Sequence, residues 1–219
     1  MGCTGDASYD VRYATAYKPP RTVSVFGVFR DGRMNPEAWD AIGSRLSAPL
    51  GGASCDIAIG AKLQLEAPTV LAALDDTTRA SGVTDEILGE FAPMAKAETI
   101  LVFTIAGRPP QPLPDKPGTG AAPAASRFST GRRMRGNNGP PAAGPRVDRN
   151  VFEISASLYS VKTKESVGVI GMSYEGQSVE DAFQKFAAKL SAELPGTRCA
   201  GWDLSGQIDE EKLRSLGGQ

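Results

Sequence analysis

Apolar positions recur along this chain in two periods, and the switch between them marks the elements. From Thr22, the run Val23, Val25, Phe26, Val28 and Phe29 is rich in β-branched and aromatic residues and predicts a strand covered on both faces. Asn35 followed by Pro36 reads as a cap and first helical residue. Trp39, Ile42 and Leu46 then follow at helical spacing until Pro49 and Gly51-Gly52. Between Cys55 and Leu65, Ile57, Ile59, Ala61, Leu63 and Leu65 alternate with more polar neighbours, which predicts a half-buried second strand. Pro68 to Ala80 carries Val70, Leu71 and Leu74 as a helix that Gly82 breaks. Thr84, Asp85 and Glu86 restart helix, with Ile87, Leu88, Phe91 and Met94 as its buried stripe. Thr99 to Ile105 is apolar on both faces, as a central strand beneath helices requires.

Further along, Phe152, Ile154, Ala156 and Leu158 alternate with polar residues. A turn at Lys162 to Glu165 leads back through Val167, Val169, Ile170 and Met172, so an antiparallel hairpin is expected. Ser178 with Asp181 opens a last helix whose apolar face is Val179, Phe183, Phe186, Leu190 and Leu194, ended by Pro195-Gly196. Residues 107–150 hold nine prolines and eight basic residues against Asp115 and Asp148, without periodic hydrophobicity, and are expected to be a disordered loop. Residues 1–21 read as a flexible tether and 205–219 as a polar tail, in which Ile208, Leu213 and Leu216 are too sparse to dock firmly. The expected fold is therefore α/β: one two-layer sandwich over residues 22–204, with a mixed five-stranded sheet in the order β-α-β-α-α-β-(long loop)-β-β-α.

Composition narrows the chemistry. With 219 residues, 41% hydrophobic, the chain supports one domain with appendages. A net charge of −1 provides no overall field for nucleic acid or membrane. Histidine is absent, which removes Ser-His and Cys-His couples and His-metal sites. No phosphate-binding glycine motif occurs, and Asp75-Asp76 and Glu210-Glu211 are adjacent acids that diverge on a helix rather than forming an acid/base pair. No cofactor, metal or catalytic residue is expected, and the reading is non-enzymatic. A histidine-free enzyme using Asp, Lys or Tyr is the remaining catalytic alternative.

The strand Val23-Ser24-Val25-Phe26, the strand Thr99 to Gly107 and the hairpin segment Leu158 to Val167 resemble an envelope fold. It is shared by the curli-secretion channel lipoprotein, the N-terminal domain of the Tol-system propeller protein (TolB), and lipoprotein activators of penicillin-binding proteins. In that group a strand ending in Gly precedes a hairpin reading hydrophobic-x-Asp-x-Lys-Thr-Gly-Glu, and a Ser- or Thr-capped helix closes the domain. The match spans residues 22 to 196 in element order; Ser160 stands where Asp is usual and Lys164 where Gly is usual. The resemblance implies a periplasmic protein-binding accessory of secretion, Tol-type or cell-wall assemblies. Where channel members carry barrel-forming hairpins this chain has Pro- and Arg-rich residues unfit for a lipid-facing strand, so a pore is not expected.

Cys3 follows Gly2, as at the processing site of bacterial lipoproteins. Acylation there would imply a removed signal peptide and an anchor in the outer membrane, with the domain in the periplasm. Myristoylation at Gly2 fits less well, since it favours Ser or Thr where Asp6 stands. In an exported chain the remaining Cys55 and Cys199 would be free to form a disulfide, closing a loop worth about 5 kcal/mol in the chain-entropy model; two buried thiols in a reducing cytosol are the alternative. Arg127, Arg132, Arg133 and Arg135 could grip an anionic partner such as nucleic acid or lipid phosphate, or simply keep a linker solvated. A cytosolic nucleic-acid-associated module is thus the competing function. Self-association or strand addition is expected at the hairpin edge, residues 165–174.

Overall fold

The long strands follow from the apolar runs, and their pairing sets everything else. The computed structural model describes residues 5–30, 32–35, 43, 45, 58–108, 150–176, 178–206 and 208–217. The strands are β1 (Asp6–Tyr13), β2 (Thr22–Arg30), β3 (Arg33–Met34), β4 (Thr99–Arg108), β5 (Asn150–Ser160), β6 (Glu165–Gly176) and β7 (Arg198–Cys199). The helices are α1 (Ile59–Glu66), α2 (Pro68–Ser81), α3 (Asp85–Phe91), α4 (Val179–Glu193) and α5 (Glu210–Ser215). They build one seven-stranded mixed sheet in the order β1-β6-β5-β4-β2-β3, with β7 also beside β2. The pairings β2–β4 and β2–β7 are parallel and the others antiparallel.

Two apolar layers sandwich the sheet. On one face Phe183, Phe186 and Leu190 of α4 meet Val25, Leu101, Phe103, Ile154, Leu158 and Ile170. On the other, α1, α2, α3 and α5 bring Leu63, Leu74, Phe91 and Leu213 against Phe26, Phe29, Ile100, Val102 and Tyr159. Alternation from Val25 places the phenyl ring of Phe26 in this second layer, a bulge between Val25 and Gly27 returns Val28 to the first, and the Trp202 indole N–H donates to the Val25 carbonyl at 2.8 Å.

The α/β class and the mixed sheet match the sequence reading, as do the hairpin, the helix pair divided at Gly82 and the Ser178-capped closing helix. Several details do not. The sheet has seven strands where five were expected, and helices cover both faces of its β2–β4 half rather than one. The expected tether 1–21 contains β1, which pairs with β6 along its whole length. The expected strand between Cys55 and Leu65 is instead α1: Ile59 and Leu63, four apart, fit both periods, but Gly60 is the third buried residue and Leu65 is 85% exposed. The expected tail 205–219 contains α5, whose Leu213 is fully buried and whose carbonyl accepts from Thr77 Oγ1. The expected helix from Asn35 to Leu46 lies mostly outside the described residues; Gly43 and Arg45 are described and helical. Of the 107–150 segment, Gly107 and Arg108 end β4 and Asn150 opens β5, while 109–149 lie outside the described residues.

Candidate functional site

Alternation in β1, β6 and β5 sends two kinds of side chain to opposite faces. Ala7, Val11 and Tyr13 of β1, Ile170 and Met172 of β6, and Ile154 and Ala156 of β5 turn toward α4. Ser8, Asp10 and Arg12, then Val169, Gly171 and Ser173, then Glu153 and Ser155, with Thr104 and Ala106 of β4, line the opposite side. There they form an open groove of about 520 Å³. The helices on that side stop at β2, β4 and Tyr159, so this part of the sheet has no roof among the described residues.

The groove is shallow and mixed, with the hydroxyls of Ser8, Thr104, Ser155 and Ser173 standing beside the apolar Ala106 and Val169. Asp10 accepts from two guanidinium nitrogens of Arg12, Nε at 3.2 Å and Nη2 at 2.5 Å, and this pairing raises the arginine pKa. Gly171 adds no side chain, which leaves the floor low between Asp10 and Ser155. Such a surface offers hydrogen bonds and a charge pair to a flat partner. Among the described residues no group of three or more His, Cys, Asp or Glu could hold a metal ion, and no helix is long and apolar enough to cross a membrane.

The single roof of this half is fastened by polar contacts. Tyr13 donates to Glu193 Oε2 at 2.8 Å and stacks on Tyr17 at 4.2 Å between ring centroids. Lys185 donates to the Gly5 carbonyl at 2.6 Å, and the Lys189 ammonium lies 5.6 Å from the Tyr9 ring centroid. Burial, with Glu193 second, pushes the Tyr13 phenol up; Tyr17 is pushed up to about 12, mainly by burial.

Most site residues expected from the sequence fall elsewhere. Cys3, Cys55, Arg127, Arg132, Arg133 and Arg135 lie outside the described residues. Cys199 lies in β7, partly buried against the α4-side core. The hairpin edge 165–174 is not an edge, because β6 runs between β5 and β1. The groove residues lie outside every site expected from the sequence; strand β1 alone carries a signal, since Ala7, Tyr9, Val11 and Tyr13 alternate strictly with Ser8, Asp10 and Arg12.

No protein-family model matches the chain, and no curated protein does. Two solved structures of the PelC dodecamer from Paraburkholderia phytofirmans are similar in chain course. One superposes with a TM-score of 0.41 at 12% identity, covering 89% of this chain and 100% of the PelC chain. The other, of a PelC point variant, gives 0.40 at 12% identity over 87% and 99%. Scores of that size carry no argument about what this chain binds or where it acts.

Proposed function

We propose that this protein is a non-catalytic cell-envelope lipoprotein that acts as an accessory to assembly in the periplasm by binding another protein, held to the outer membrane through Cys3. The observation that supports binding is the groove on the unroofed half of the sheet. Its small hydroxyl side chains, low Gly171 floor and neutralised Asp10–Arg12 pair suit a flat protein surface joined by hydrogen bonds. Cys3 lies three residues before β1, so an anchor there would hold this half of the sheet near the membrane surface.

Metabolic labelling of the native protein with palmitate, followed by fractionation, tests anchor and compartment together. The wild type is expected to carry label in the outer-membrane fraction, and Cys3→Ser is expected to lose both label and membrane. An unlabelled, cytosolic wild type would overturn the reading. A photo-crosslinking residue at Ser155 then tests the groove: one discrete heavier species in envelope preparations, abolished by Gly171→Arg, is the expected result.

The same compartment supports pairing of Cys55 with Cys199. Non-reducing mass spectrometry of envelope-purified protein is expected to find the two linked; two free thiols at these positions would refute the pairing.

A further inference from the structure

The strand at the end of the sheet, β1, has β6 on one side and, among the described residues, nothing on the other. The direction of its free backbone groups follows from the ladder. Ala14 N–H donates to the Val167 carbonyl at 3.0 Å, continuing the β1–β6 register in which Tyr13 faces Gly168. The next ladders agree: Val161 N–H donates to the Glu98 carbonyl at 3.0 Å, and alternation carried from there across β5 and β6 assigns the same hydrogen-bonded pairs to β1. The even-numbered residues of β1 therefore bond to β6. Ala7, Tyr9, Val11 and Tyr13 point their N–H and C=O groups outward, along an eight-residue edge ready to pair.

The side chains along that edge are complementary to themselves. Two copies of β1 set antiparallel about a two-fold axis at Tyr9 bring Ala7 opposite Val11, Tyr9 opposite Tyr9, Asp6 opposite Arg12 and Ser8 opposite Asp10. Apolar meets apolar on the α4 side, and each Asp6 meets an arginine on the open side. Ala7, Tyr9 and Val11 all point their bonding groups across the join, giving about six interchain hydrogen bonds. Neighbouring registers are worse. Centring on Ser8 sets Asp6 against Asp10, and centring on Asp10 sets Asp10 against itself. Centring on Val11 keeps opposite charges together but engages only the Tyr9–Tyr13 half of the strand. Tyr9, 43% exposed, is one of the large apolar side chains left in solvent among the described residues, and its ring lies on the α4 side with the Lys189 ammonium 5.6 Å from its centroid.

We infer that β1 is a homodimerisation edge, through which a second copy of this chain joins the two seven-stranded sheets into one across the Tyr9 two-fold. The inference goes beyond the groove reading: it rests on the outward backbone groups of β1, which that reading does not use, although Ser8, Asp10 and Arg12 belong to both surfaces, and it holds with or without an anchor.

Charge exchange tests it in the Cys3→Ser protein, which separates its outcome from that of anchoring. The parent is expected to sediment as a dimer over a concentration series. Asp6→Lys sets the introduced lysine against Arg12, and Arg12→Glu sets the introduced glutamate against Asp6. Each variant alone, with unchanged circular dichroism, is expected to dimerise about tenfold more weakly or worse, as two like-charged cross-strand pairs replace two opposite ones. Mixing the two variants sets the introduced lysine of one copy against the introduced glutamate of the other, and the retained Arg12 against the retained Asp6, so a heterodimer is expected. Val11→Pro, which removes an outward N–H without touching the β6 ladder, is expected to be folded and monomeric. A monomeric parent, or two folded charge variants that stay apart on mixing, would overturn the inference.

Discussion

At β2 and β4 both faces of the sheet are roofed by helices, whereas at β6 and β1 only α4 covers one face and the other is open. The composition of the strands tracks that difference. The covered pair reads Val-Ser-Val-Phe-Gly-Val-Phe and Thr-Ile-Leu-Val-Phe-Thr-Ile, with Val25 and Phe26, or Leu101 and Val102, buried in succession on opposite faces. The open pair alternates, as in Ala-Ser-Tyr-Asp-Val-Arg-Tyr, because only one face there gains from leaving water. Stability should therefore reside in the first half, leaving the second free to carry recognition.

The sharpest way to break this contrast is one truncation on each side. Phe26 is fully buried, its ring 5.0 Å from that of Phe91 and 6.0 Å from that of Trp202. Phe26→Ala should cost about 3–5 kcal/mol in urea denaturation, through lost burial and a cavity that rigid neighbours cannot fill. Ser155→Ala and Ser173→Ala, in the open groove, should each change stability by about 0.5 kcal/mol or less. Equal costs would erase the distinction between the halves.

The second effect concerns the roof of the covered half. Leu213 is fully buried beneath α5, whose Lys212 pairs with Glu90 at 2.6 Å and whose Glu210 accepts from Thr69 at 2.7 Å. Leu213→Ala should lower stability by about 2–4 kcal/mol. An unchanged urea midpoint would show that the C-terminal helix adds nothing to the fold.

What could be read from the chain beforehand followed the same division. The both-face strands and the α4 stripe were legible because their periodicity is long and unmixed. The error at Ile59 to Leu65 arose because a spacing of four serves both periods; the residue types Ala61, Lys62, Leu63, Gln64 and Glu66 favour helix and decide the matter. Strand β1 alternates strictly yet does not declare itself, since three of its four polar positions, Asp6, Asp10 and Arg12, are charged and it depends on β6, more than 150 residues away, for hydrogen bonds. The α5 helix was missed because one deeply buried leucine does the work of a stripe. The groove could not be located from sequence at all: it requires knowing that β1, β6, β5 and β4 are neighbours in that order.

A smaller effect, of opposite sign, lies at the hairpin between the halves. Lys164 adopts φ 58°, the left-handed region that glycine enters without a Cβ penalty. Ser160 closes the turn: its Oγ accepts from Thr163 N–H at 3.2 Å and its carbonyl from Lys164 N–H at 2.9 Å. Lys164→Gly should stabilise the protein by about 0.5 kcal/mol, backbone strain relieved less the added freedom of the unfolded chain. A loss of stability would mean the turn does not need the glycine conformation.

The smallest effect separates the halves by pH rather than by packing. Hydrogen bonds from Lys189 first and Tyr13 second hold the Glu193 carboxyl below its ordinary range. A depressed carboxylate pKa contributes stability that is present above the unfolded-state value and lost as pH falls through the folded one. Tyr13 has the opposite shift, so its contribution is present at neutral pH and lost only as strongly alkaline pH deprotonates the phenol. The Tyr13–Glu193 hydrogen bond fastens α4 to β1, while Tyr13 also packs against the edge of the α4-side apolar layer. Amide exchange should therefore accelerate in β1 before β4 as pH is lowered from ~7 toward ~3, once corrected for intrinsic rates. In Glu193→Gln, which cannot ionise, that early loss of protection in β1 should already be present at neutral pH and change little with acid. Simultaneous loss in β1 and β4 would mean the two halves open as one cooperative unit, and the contrast between them would be one of surface alone.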